Sequence, residues 1–358
     1  MDLFERYLKC TGFESLREWK SLATKQPALE DLSNLVPKLL TTAPLPLLLK
    51  LLEFNGYGLN CDKIQFKLRP VILLPVSRAL DSQVALAQIL AEVRERVAGF
   101  GQSPNRPELY GALDYWGLEI KLELIIETLR QIQVAFPQLN IIAPSSNEMK
   151  QIADYNQITI SDLLSCLKQA GLSELDMSYD ANLLQIASDR NFKIRLGLPL
   201  TNPSDFTQVL VDVLAATRQG KYQLAAVYPF TERPLDTLDH DGPFGCMTLR
   251  AVALLRLLFP APTTVRAPIS HFGIKAANVA LAHGAEDLGY VGYDRESVER
   301  FGLLPLSEVL SAFSYSGFSL LPTDFVIESI AADFQPSDQL TKEVAEGKNL
   351  QFNYQWQC

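Results

Sequence analysis

The chain has 358 residues, 47% of them hydrophobic and 20% charged, so it can bury one large core or two ordinary ones, and wholesale disorder and collagen-like repeats are excluded. Lys plus Arg total 32 against 41 acidic residues, a net charge of −9, which argues against a dedicated nucleic-acid binder or a polybasic membrane adaptor. Five cysteines, Cys10, Cys61, Cys166, Cys246 and Cys358, lie at least 51 residues apart, too far for a local zinc knuckle, a redox C-x-x-C or a compact cluster-binding loop. The odd count in a chain of this size suggests a reducing, cytoplasmic setting rather than a disulfide scaffold.

MDLFERYLKC lacks the basic and apolar regions of a signal peptide. The most apolar stretch, Ala43 to Leu52, carries two prolines and a lysine and is too short to span a bilayer. Residues 1–65 are expected to form an N-terminal helical segment, with Leu29, Leu32, Val36 and Leu39 on one stripe. From there short apolar runs alternate with amphipathic helices. Strands are expected at Val71–Leu74, Leu109–Leu113, Asn140–Ala143, Glu174–Ser178, Lys193–Leu198, Leu224–Tyr228, Thr264–Ala267 and Leu288–Tyr293. Between them fall helical stripes such as Leu118, Leu122, Ile125, Leu129 and Ile132, a helix started by Thr159 with Asp162, and helices near Met247–Leu258 and Ile274–Ala282.

Eight such alternations imply parallel strands joined by crossover helices: an α/β fold, a (β/α) TIM-type barrel over 66–300, with a C-terminal extension over 301–358 packed on it. A doubly wound open sheet is the alternative, disfavoured because Pro75-Val76-Ser77-Arg78 is no glycine-rich phosphate turn.

A barrel site belongs at the C-terminal strand ends and in the upper lumen. Strand alternation turns Glu174, Asp176 and Ser178 inward from the fourth strand and Arg195 from the fifth, with Arg266 inward from the seventh. A buried Arg and Asp need partners, so an Asp176–Arg195 pair is expected. The strand ends add Asp114, Tyr115, Tyr179, Asp180 and Tyr228. Asp114, Asp180 and His271 are the candidate acids and bases; Tyr115, Asp176, Ser178, Arg195, Tyr228 and Arg266 are the candidate ligand-binding residues. In Asp239-His240-Asp241-Gly242-Pro243 a solvated turn is the plainer explanation, and His283 before Gly284 reads as a cation at a helix C-terminus. No metal-type cluster, nucleophile elbow or Walker loop occurs.

Three stretches resemble the radical-SAM enzymes of menaquinone and deazaflavin biosynthesis, aminofutalosine synthase first, then dehypoxanthine futalosine cyclase and the deazaflavin synthases. They are EMKQIADYNQITISDLLSCLKQAGLSEL (Glu148–Leu175), PFTERPLDTLDHDGPFGCMTLRAVALLRLLFP (Pro229–Pro260) and SHFGIKAANVALAHGAEDLGYVGYD (Ser270–Asp294). Only the third, with its Ala-Leu-x-x-Gly-Ala-x-Asp-Leu pattern, is distinctive. The resemblance implies a C-x-x-x-C-x-x-C loop after the first strand, whose thiolates bind a 4Fe–4S cluster that chelates SAM. Here that loop, Pro75 to Gln88, has no cysteine, and Met177-Ser178-Tyr179-Asp180 replaces the glycine-rich segment after strand four. The expectation is a homologue without cluster or cofactor, radical-SAM activity lost, holding a small molecule in its barrel. It would act as an accessory to a protein partner, an active radical-SAM homologue, in menaquinone biosynthesis. The alternatives are acid/base chemistry on an anionic small molecule anchored by Arg195 or Arg266, and a partner chain that supplies the missing cysteines. Neither nucleic acid nor a membrane span is expected.

Overall fold

A computed structural model describes residues 27–43, 45–54, 57, 65–81, 86–97, 108–116, 119–230, 245–314 and 319–321. The 239–243 turn, Cys10, Cys61 and Cys358 lie outside them. The elements run α1 (Leu29–Thr42), α2 (Leu45–Phe54), β1 (Gln65–Leu74), α3 (Ser77–Asp81), α4 (Leu86–Val97), β2 (Tyr110–Leu113), α5 (Leu122–Ala135), β3 (Asn140–Ile141), α6 (Ser146–Tyr155) and α7 (Ile160–Gln169). There follow β4 (Glu174–Ser178), α8 (Ala181–Asp189), β5 (Lys193–Pro199), α9 (Pro203–Arg218), β6 (Leu224–Phe230), α10 (Cys246–Leu258), β7 (Thr264–Val265), α11 (Ile269–Leu281), β8 (Asp287–Gly292), α12 (Arg295–Phe301), α13 (Leu306–Ser314) and β9 (Ser319–Leu321).

All the ladders are parallel, in the orders β3-β2-β1-β8 and β4-β5-β6-β7, with β9 on the outer end of β1. The two sheets meet where Ala267 N donates to Asp287 O at 2.8 Å and Glu286 N to Val265 O at 2.8 Å. The strands therefore follow one another as 3-2-1-8-7-6-5-4, a barrel order without the reversal that a doubly wound sheet requires. Closure is incomplete: among the described residues β3 and β4 share no ladder, so the wall is split at that one seam.

Expected and observed elements agree in kind and differ at their ends. β1 begins six residues before the apolar run, because Lys67 and Arg69 interrupt the hydrophobic pattern while the backbone continues its ladder with β8. β3 and β7 are two residues each, shorter than expected. Thr159 caps α7 by accepting from Asp162 N at 3.1 Å, and Ser145 with Glu148 forms a capping box on α6. α11 is broken by Gly273 at φ +70°; the continuous helix begins at Ile274 as the pattern predicts, after a single turn, Ile269–Phe272.

The apolar face of α1 packs on α9 and α10, and α2 packs on α10. Arg250 of α10 closes the C-terminus of α1, donating to Ala43 O at 2.7 Å and to Leu40 O and Thr41 O at 3.0 Å, which satisfies carbonyls the helix itself cannot. His283 differs from the cation expected at a helix end. It is 6% exposed, its Nδ1 lies 2.8 Å from Val279 O, and burial pulls its pKa down, so the neutral imidazole is the stable form. Gly284 beside it has φ +95°, and a Cβ there would sit 2.8 Å from Arg256 Cγ. Gly284→Ala is expected to cost about 1–3 kcal/mol in urea-unfolding free energy, from left-handed strain plus overpacking. A loss below measurement error would show that Arg256 and the turn adapt freely.

Candidate functional site

The lumen holds three arginines and three carboxylates, placed by strand alternation and by one bulge. Arg69 comes from β1, Glu174 and Asp176 from β4, Arg195 from β5, Arg266 follows β7, and Asp287 opens β8. In β8 Gly289 takes φ +80° and the pairing with β1 shifts register, so Asp287 and Tyr290, three residues apart, both turn inward.

The pairing corrects the expected Asp176–Arg195 contact. Arg195 Nη1 pairs with Glu174 Oε2, two residues down the strand, and Asp176 Oδ2 pairs with Arg266 Nη1. Arg195 and Asp176 are Cα partners in the β4–β5 ladder, but the neighbouring carboxylates share the arginines differently because Arg266 reaches across from the opposite wall. Asp287 Oδ2 accepts from Arg69 Nη1 at 2.6 Å and Arg266 Nε at 3.3 Å, and its Oδ1 from Gly289 N at 2.9 Å. Tyr110 OH accepts from Arg195 Nη2 at 3.0 Å and faces Glu174 Oε2 at 3.2 Å. The Arg266 guanidinium lies between the rings of Tyr228 and Tyr290, at 5.4 and 5.2 Å from their centroids.

Burial alone raises the pKa of each carboxylate, and the arginines outweigh it. Asp287 is held down at about 2, chiefly by Arg69 and then Arg266. Glu174 is lowered by Arg195, and Asp176 by Arg266 with help from the hydroxyl of Tyr228, which donates to Asp176 Oδ1 at 2.7 Å. The six groups balance in charge, and the network forms a floor across the barrel.

Above that floor lies a cavity of about 490 Å³ at the C-terminal strand ends, where barrel sites are expected. Trp116, Tyr228 and Tyr290 supply aromatic wall, and Ser178, Asn147, Gln151 and His271 supply polar side chains. Burial, assisted by Arg266 and opposed by Asp176, pushes His271 down to about 4, so the imidazole stands neutral at neutral pH. Its ring meets Phe230 edge-on at 5.4 Å.

Of the residues expected to carry the site, Asp114, Asp176, Ser178, Tyr228, Arg266 and His271 line this cavity. Arg195 lies in the floor and is not on the cavity wall, and Tyr115 is buried in the outer core against Trp116. Asp180 caps α8, its Oδ1 accepting from Asn182 N and Leu183 N at 3.0 Å. Asp114 accepts from Ser77 N at 2.9 Å and from Ser77 Oγ at 2.5 Å, and so ties the loop after β1 to the end of β2. Sequence reasoning missed Arg69, Tyr110, Asp287 and Tyr290. Asp287 stands in the Ala-x-Asp-Leu pattern, which was the available signal; the bulge concealed Tyr290.

The resemblance carried by the three sequence stretches implies an iron–sulfur cluster and SAM. The residues after β1 do not fit a three-thiolate cluster: Pro75 to Gln88 offers Ser77 and Arg78 in place of thiols, and Ser77 is engaged by Asp114. Cys166 is half-buried on α7 and Cys246 exposed at the start of α10, and among the described residues no three His, Cys, Asp or Glu side chains gather as a metal site. Nor, among those residues, is any helix long and apolar enough to cross a membrane.

No family model matches the sequence, and no curated protein does. Among solved structures the chain is similar to HydG, a maturase of FeFe-hydrogenase, with a TM-score of 0.52 at 11% identity over 96% of this chain and 83% of that one. Methylornithine synthase PylB gives 0.48 at 13% identity over 82% and 99%, and HydG from Carboxydothermus hydrogenoformans gives 0.47 at 12% over 89% and 85%. At such identity the likeness concerns the fold and not the chemistry. The chain has an α/β fold of parallel strands similar to that of HydG.

Proposed function

We propose that this chain is a small-molecule-binding protein that keeps a radical-SAM-like barrel without cluster chemistry and works beside a cluster-bearing homologue. The observation that carries the reading is the 490 Å³ cavity over a charge-balanced floor, walled by aromatic rings and by hydroxyl, amide and imidazole groups. A pocket of this size with a few convergent polar groups is suited to one small ligand. The arginines of the floor are paired with carboxylates, whereas Arg300, which also lines the cavity, is in no ion pair among the described residues, so recognition falls to the neutral polar groups and to that guanidinium. The absence of cysteine from Pro75–Gln88 supports the loss of reductive SAM cleavage, and the Ser270–Asp294 resemblance supports a place near futalosine-type menaquinone biosynthesis.

The test is mass spectrometry of small molecules released from the purified chain and from Ser178→Trp, which fills the cavity. One metabolite is expected to co-purify with the parent and to fall at least about tenfold in the variant, with melting unchanged. Equal recovery from both proteins overturns the binding reading. A stoichiometric 4Fe–4S signal after anaerobic reconstitution, with SAM cleavage, overturns the loss of cluster chemistry.

A further inference from the structure

The split between β3 and β4 has a chemistry of its own. In a parallel strand the N–H and C=O of alternate residues point to opposite neighbours. Tyr179 N donates to Gly197 O at 2.9 Å and Lys193 N to Ser173 O at 3.0 Å, so the odd residues of β4 serve β5, and Asp176 and Ser178 present their backbone groups to the seam. On the facing edge Asn140 N donates to Leu109 O at 3.1 Å and Ile142 N to Gly111 O at 2.9 Å, which turns Ile141 and Ala143 to the seam. No hydrogen bond joins the two edges, and the backbone groups of Ala143, Asp176 and Ser178 have no other partner among the described residues.

The cavity reaches this seam. Ala143 on one edge and Asp176 and Ser178 on the other all line it. Met177 and Gln151 of α6 line it too, so the cavity extends along the seam as well as over the lumen.

We infer that the ligand of this cavity presents a planar lactam edge that enters the seam and pairs with these strand edges; the inference rests on the small-molecule-binding reading above. Each edge residue offers an N–H beside a C=O, and Ala143, Asp176 and Ser178 are half-buried, so these groups are open to a partner from the cavity. A lactam carries the matching acceptor and donor side by side in one plane, as narrow as a strand. The lactam edge itself bears no charge toward the balanced floor, Trp116 and Tyr290 provide faces for its ring, and Arg300 on the wall stays available to the rest of the ligand.

The probes are 2-pyridone and N-methyl-2-pyridone, which share shape and apolar surface while the second lacks the N–H. Dissociation constants are measured by ligand-observed NMR on the full chain. The lactam is expected to bind about tenfold more tightly than its N-methyl analogue, and Ser178→Pro, which deletes one edge N–H, to weaken it by about tenfold. Proline is tolerated at an unpaired edge, and a melting curve checks that the variant folds. Should that variant not fold, the pair of probes on the parent chain still decides. Equal affinity for both probes overturns the inference, as does undiminished binding to folded Ser178→Pro. If a metabolite co-purifies and is lost in Ser178→Trp but neither probe binds, the lactam assignment falls alone; if no metabolite co-purifies and no probe binds, the binding reading falls with it.

Discussion

Asp287→Ala is expected to lower unfolding free energy by about 3–5 kcal/mol, enough to leave a chain of ordinary stability near its threshold or unfolded. The carboxylate is fully buried and holds Arg69 and Arg266 together across the point where the two sheets join. Removing it strands the Arg69 guanidinium, 8% exposed, and leaves Arg266, 2% exposed, with Asp176 as its one remaining carboxylate, and neither arginine can recover water. It also frees Gly289 N, which anchors the bulge that turns Tyr290 inward. Asp287→Asn keeps the shape and one acceptor and is expected to lose less. Urea unfolding followed by circular dichroism checks both, and a loss under about 1 kcal/mol for the alanine variant would show that the floor is not the clasp between the sheets.

The same carboxylate sets an acid limit. Its folded pKa, about 2, lies below the unfolded value of roughly 3.9, so its contribution is complete above about pH 4 and is lost as the pH falls through 2. Glu174 and Asp176 are depressed in the same sense. Acid unfolding should therefore steepen below pH 4 in the parent chain.

How much of this was legible from residues alone follows from what each signal encodes. Alternation reports the face of a regular strand, so Glu174, Asp176, Arg195 and Arg266 were turned inward correctly, and β4 was placed at its observed ends. Alternation does not report which inward group meets which, because that depends on strands far apart in sequence; hence Arg195 was matched to Asp176 rather than Glu174. It also fails where the period breaks. The bulge at Gly289 hid Tyr290, and the charged start of β1 hid Arg69. Asp180 and Asp114 sit at strand ends, where a carboxylate that caps a helix or ties down a loop has the same sequence position as a catalytic one. The seam left no sequence trace, since backbone groups are the same in every residue.

His271→Gln should reveal the cost of keeping a neutral imidazole in the cavity wall. Burial holds the folded pKa at about 4 against an unfolded value of about 6.5. Between those values the unfolded chain binds the proton and the folded chain does not, so stability is full above about pH 6.5 and declines as the pH falls toward 4, by about 3 kcal/mol in all. This window lies above that of Asp287, so the two limits separate on the pH axis. His283 is depressed by burial and titrates in the same direction, whereas Glu286 and Glu308, raised by burial, act oppositely. Glutamine is uncharged at every pH, and subtracting the variant's profile from the parent's cancels those three groups. The difference should change by about one proton's worth of slope between pH 6.5 and 4 and be flat above pH 7. A flat difference throughout would place the imidazole in contact with water, where it could ionise without penalty. A ligand seated against His271 would have to meet an uncharged ring, which suits hydrogen bonding to an uncharged part of that ligand and leaves proton abstraction at neutral pH with a weak base.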